Sequence, residues 1–82
     1  MKIEIYGSAN CAYCTQAKKL CDTNGLAYEY YDITGHAAGF EELEQRVGYK
    51  VLTVPQIFVD DEHLDGGYLE FYKLIASMDK VA

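Results

Sequence analysis

Lys2-Ile3-Glu4-Ile5-Tyr6, followed by Gly7-Ser8-Ala9-Asn10 and then Cys11-Ala12-Tyr13-Cys14, reads as a strand, a break and the opening of a helix that carries two cysteines. Ile3 and Ile5 share one face and Lys2 and Glu4 the other, the period of two of an extended strand. From Ala12 to about Asn24, apolar Tyr13, Cys14, Ala17, Leu20 and Cys21 fall on one helical stripe, opposite Gln16, Lys18, Lys19, Asp22 and Thr23. Asn24-Gly25 supplies a C-terminal stop. One sulfur of the C-x-x-C pair therefore stands at a helix N-terminus, where unpaired N–H groups favour an anion. That predicts a reactive thiolate at Cys11.

Outward from this stretch, Ala27 to Ile33 reads as a Tyr-rich strand that ends at Asp32 and Thr34-Gly35. A short helix follows, with Phe40, Leu43 and Val47 as its apolar stripe, Glu41, Glu42, Glu44 and Gln45 exposed, and Gly48 as its end. After Thr53-Val54-Pro55, Gln56 to Val59 forms an apolar strand. Asp60-Asp61 then turns the chain into a hairpin around His63-Leu64. Gly66-Gly67 opens a last helix with the stripe Tyr68, Phe71, Tyr72, Ile75 and Met78. The order is β-α-β-α-β-β-α. Strands separated by helices predict parallel pairing in the first half, and the late hairpin adds an antiparallel edge. An α/β fold with a four-stranded mixed sheet flanked by helices is expected.

Eighty-two residues suffice for one small domain, expected to span 1–82 without repeats or linkers. Half the residues are hydrophobic and 24% are charged, a globular composition rather than a disordered one. The formal net charge of −6 argues against nucleic acid and anionic membrane as partners. An anionic small molecule stays compatible, because backbone N–H groups at helix N-termini can hold it. The N-terminus has no apolar secretory core, no run reaches membrane-spanning length, and Asp79-Lys80-Val81-Ala82 matches no lipidation signal, so a cytoplasmic location is expected.

Three cysteines are an odd number and do not make a secreted disulfide framework. A structural zinc site needs about four ligands. Cys11 and Cys14 supply two, while Cys21, His36 and His63 are scattered, so redox chemistry is the stronger reading and no metal is expected. The pair is asymmetric: Cys11 lies at the helix start and Cys14 one turn further in. Cys11 is thus the attacking sulfur and Cys14 the resolving one. Cys21, two turns beyond Cys14 on the same stripe, reads as a core residue. His36 and His63 read as solvated positions rather than bases, since an ionised Cys11 needs no separate base.

Cys11-Ala12-Tyr13-Cys14, Thr53-Val54-Pro55-Gln56-Ile57-Phe58-Val59-Asp60 and Gly66-Gly67-Tyr68 together resemble the three signature segments of the glutaredoxin family, in order and over nearly the whole chain. The resemblance implies a thioredoxin-like fold with a cis peptide before Pro55. It also implies a glutathione groove in which the Val54 backbone pairs with the cysteinyl unit, flanked by Thr53 and Tyr13. The γ-glutamyl carboxylate would rest on the N–H groups of Gly67, Tyr68 and Leu69. The implied activity is glutathione-dependent reduction of protein disulfides and glutathione mixed disulfides by a monomer. Ribonucleotide reductase is a common client of similar proteins.

The chain departs from the family pattern in four places. Ala12 replaces the usual Pro at the first helical turn, which predicts a changed redox poise. Ser8, Ala9 and Asn10 stand where many relatives carry a Lys or Arg before the first cysteine. Leu69 replaces an Asp or Thr and offers only its backbone. Glu70 is left either to contact the glutathione ammonium or to complement the helix dipole. Asp65 looks inserted before the glycine pair and is expected to bulge the loop. Two alternatives follow from the resemblance: a [2Fe–2S] carrier ligated by Cys11 and glutathione across two subunits, which Ala12 motivates, and a reductant served by thioredoxin reductase.

Overall fold

In a computed structural model, which describes residues 1–34, 37–51 and 53–79, the elements follow the expected order. They are β1 (Ile3–Gly7), α1 (Ala12–Thr23), β2 (Glu29–Asp32), α2 (Ala37–Val47), β3 (Gln56–Val59), β4 (Glu62–Leu64) and α3 (Tyr68–Asp79). Gly35 and His36, and the Met78 side chain assigned to the last helical stripe, lie outside what is described.

The sheet order is β2-β1-β3-β4, with β1 parallel to β2 and antiparallel to β3, and β3 antiparallel to β4. The fold is therefore the expected thioredoxin-like α/β arrangement with a mixed sheet. β1 and β3 are central and buried on both faces, as strands covered by helices on two sides must be. Alternation divides their side chains between two cores. Ile3, Ile5, Ile57 and Val59 meet Ala17 and Cys21 of α1 and Phe71 and Ile75 of α3. Tyr6 and Phe58 point the other way, onto Leu43 of α2 and Val51.

That second core changes the reading of β1. The Lys2 and Glu4 side was expected to be its polar face, yet Glu4 and Tyr6 are buried because α2 covers them. Arg46 near the end of α2 makes the burial tolerable: its guanidinium lies 3.1 Å from Glu4, donates to Tyr6 Oη at 3.0 Å and stacks over Phe58. Glu44, expected to be exposed, is half-buried and accepts the Val51 N–H at 2.8 Å. The β3–β4 hairpin turns through Asp60 and Asp61, both at positive φ, a conformation that aspartate tolerates better than most residues. Lys2 N–H donates to Asp60 Oδ1 at 2.7 Å, which fastens the turn to the start of the chain.

Candidate active site

The β1–α1 connection delivers the cysteine pair to the edge of the core. Cys11 is the N-cap of α1, with extended backbone, and its sulfur accepts the Cys14 N–H at 3.1 Å. A sulfur takes the place of the oxygen that usually caps a helix, and the same N–H and helix dipole favour an anion there once the pair is reduced. Cys11 and Cys14 are joined as a disulfide. Cys14 is fully buried and Cys11 only half-buried, so the sulfur at the helix start is the one open to a substrate. Gly7 makes room behind them: a Cβ there would stand 2.6 Å from Cys14 Sγ and 2.5 Å from Tyr30 Oη.

Opposite the pair lies the Thr53-Val54-Pro55 segment, whose Val54–Pro55 peptide is cis, as the family resemblance implied. The Val54 carbonyl oxygen is 3.7 Å from Cys11 Sγ. From this point a groove of about 290 Å³ runs to the start of α3. Tyr13, Thr53, Val54, Pro55, Gly67, Tyr68 and Leu69 all line it, which brings together every expected groove residue except Glu70. Tyr13 and Tyr68 stand across it with ring centroids 5.7 Å apart. Tyr13 was placed on the buried stripe of α1 but is 61% exposed, because the first turn of that helix projects past the core.

Two expectations at the α3 end are revised. The Gly67 N–H is already committed to the Leu64 carbonyl at 3.1 Å, so the open donors are those of Tyr68 and Leu69, the first residues of the helix. Glu70 leans back over Gly66, and its carboxylate lies 3.7 Å from Lys73 Nζ on the next turn, which favours its helix-terminal role. Gly67 sits at φ +62, where a side chain is strained, and a Cβ there would come within 3.2 Å of the Pro55 carbonyl.

Sequence reasoning missed Gln56, Asp65 and Gly66, which also line the groove. Gln56 did carry a signal: it is the one polar residue of an otherwise apolar strand, and it is buried. Asp65 sits on the rim and accepts the Tyr49 hydroxyl at 3.3 Å. No Lys or Arg is among the described residues lining this groove, so an anion bound there depends on the α3 N-terminus. His63, expected to be solvated, is half-buried and within 2.6 Å of Gln56. Cys21 is fully buried in the core, and burial, followed by the neighbouring Asp22 carboxylate, pushes its thiol up to about 11.

A helix-capping disulfide with one buried and one accessible sulfur, set beside a groove on this sheet, defines a thioredoxin-like thiol–disulfide oxidoreductase of the dithiol type. The sequence model of the family described as Glutaredoxin matches residues 3–64. Glutaredoxin 1 of Escherichia coli strain K12 is 41% identical over 76 residues, covering 87% of this chain and 88% of that protein. Glutaredoxin 3 of the same organism is 42% identical over 74 residues, with 90% and 86% covered. The solved structure of reduced Escherichia coli glutaredoxin superposes with a TM-score of 0.75 at 38% identity, over 94% of this chain and 95% of that one. The chain belongs to the glutaredoxin family.

Proposed function

We propose that the protein is a glutathione-dependent oxidoreductase that reduces glutathione mixed disulfides and protein disulfides through Cys11 and Cys14. The observation that carries this reading is the half-buried Cys11 sulfur, capped by the Cys14 N–H and set 3.7 Å from the Val54 carbonyl at the mouth of the groove. The groove suits a cysteinyl tripeptide. The Val54 backbone offers strand-like pairing to the cysteinyl unit, Tyr13 and Tyr68 flank it, and the Tyr68 and Leu69 N–H groups meet a carboxylate at the far end.

Two routes share the first step. Cys11 thiolate attacks the glutathionyl sulfur of a mixed disulfide, forming a Cys11–glutathione disulfide as the client thiolate leaves and takes a proton from water. A second glutathione thiolate then attacks the glutathionyl sulfur, producing oxidised glutathione and restoring Cys11. With a protein disulfide, Cys11 forms the mixed disulfide and releases one client thiolate. Cys14 thiolate then attacks Cys11 Sγ, displaces the second client thiolate and closes the Cys11–Cys14 bond, which two glutathiones reopen.

Cys11→Ser is expected to abolish turnover in an assay coupling glutathione and its reductase to NADPH oxidation. Cys14→Ser is expected to keep mixed-disulfide reduction and lose protein-disulfide reduction. Full activity of Cys11→Ser would overturn the assignment. Running the same assay with thioredoxin reductase in place of glutathione tests the reductant, and turnover there alone would exclude glutathione.

A further inference from the structure

Three groups outside the cysteine chemistry form a continuous hydrogen-bonded chain that ends in the groove. His63 Nε2 lies 2.6 Å from Gln56 Oε1. Gln56 Nε2 in turn donates to the Thr53 carbonyl oxygen at 2.9 Å and to Thr53 Oγ1 at 3.3 Å. The Thr53 carbonyl can only accept, so the amide of Gln56 is fixed with its nitrogen toward Thr53 and its oxygen toward His63. His63 must then donate from Nε2. Because Thr53 Oγ1 already accepts from Gln56, the hydrogen of its own hydroxyl is left for an acceptor elsewhere, and Thr53 is an exposed residue on the groove wall.

We propose that His63 is a positioning residue: through Gln56 it sets the Thr53 hydroxyl as a donor into the groove, toward a carboxylate or peptide carbonyl oxygen of the cysteine-bearing substrate. Every donor in the chain points the same way, from β4 to the groove, and each bond strengthens the next. The rest of the structure holds the ring in place. His63 faces Phe58 across the β3–β4 pair, with ring centroids 5.1 Å apart, and the Tyr49 ring centroid lies 6.3 Å from it. Gln56 is itself buried at the head of β3, so without His63 its amide oxygen would lack this partner. The inference rests on the glutathione reading for the identity of the ligand, but the direction of the chain is independent of it.

The test combines kinetics with direct observation of the ring. His63→Phe keeps an aromatic ring beside Phe58 and Tyr49 and removes the donor. Its KM for a glutathione mixed disulfide is expected to rise about threefold to tenfold, the worth of one neutral hydrogen bond, with kcat held. His63→Gln, whose amide nitrogen reaches the same region, is expected to restore the KM. Thr53→Val is expected to raise the KM at least as much as His63→Phe, and the double variant no more than Thr53→Val alone, because both act through one hydroxyl. In ¹⁵N-labelled wild-type protein the neutral His63 ring is expected as the Nε2–H tautomer. A His63→Phe KM within about twofold of wild type, multiplying effects in the double variant, or an Nδ1–H tautomer would each overturn the proposal. Absence of any glutathione-coupled turnover in the wild type would instead refute the functional reading, and the tautomer would still decide the relay.

Discussion

Cys21 shows what burial does to the same side chain that Cys11 exposes. Its thiol sits fully inside the core, and its ionisation is moved from 9.0 to about 11 by desolvation and then by Asp22. Between those values the unfolded chain sheds the proton before the folded one does. The stabilising contribution is therefore complete below about pH 9 and declines as the pH rises toward about 11. Cys21→Ala should remove that decline, worth on the order of 2 kcal/mol, from the difference between the two proteins in urea unfolding measured from pH 8 to 11. Tyrosines that do not feel Cys21 are common to both and cancel; Tyr28, whose ionisation is opposed by burial, by Asp22 and by Cys21, contributes to the same difference. Parallel stability curves would show that Cys21 does not titrate in this way. The same burial shields Cys21, like the fully buried Cys14, from alkylation near neutral pH, so a thiol reagent added to the reduced protein reads Cys11 first.

Helix α2 is held to the sheet by its apolar stripe and by one charged residue beside it. Leu43, Phe40 and Val47 pack as their spacing requires, but Arg46 ties the helix to Glu4 on β1 and reaches Asp61 in the hairpin turn at 3.4 Å. Burial works against the Arg46 charge, yet the hydrogen bonds to Glu4 and Tyr6 outweigh it and hold the guanidinium above its usual range. Arg46→Met should cost about 2 to 3 kcal/mol, because it strands a buried carboxylate, and adding Glu4→Met should recover most of that loss. Urea midpoints across the four-protein cycle measure it, and an unchanged midpoint for Arg46→Met alone would contradict the account. This cluster also marks where the sequence ceased to be legible. Alternation on β1 and β3, the helical stripes and the order of the three signature segments located the elements, the cysteine pair and most of the groove. Glu4 was placed with Lys2 on the face opposite the isoleucines, and periodicity alone does not reveal that α2 covers that face as well. Tyr13 and Tyr72 share stripes with core residues but are exposed. The link from His63 to Gln56 spans a hairpin, where a side-chain bond leaves no periodic trace.

Across the molecule the excess of acid over base is placed as well as counted. The two outer strands of the sheet are short, and each presents carboxylates: Glu29 and Asp32 on β2 and Glu62 on β4, all exposed. With a formal net charge of −6, these positions set the sign of the field that another copy meets at either margin. Light scattering of concentrated protein should show little self-association at pH 7 and more as the carboxylates protonate toward about pH 4. Glu29→Lys with Glu62→Lys should bring association to neutral pH, and equal scattering from that variant and the wild type at pH 7 would argue against a role for these margins. An open row of backbone donors and acceptors is a template on which further strands can add. The acidic borders of this sheet thus act as a colloidal guard, letting the backbone at its rim stay unpaired without seeding a growing ribbon.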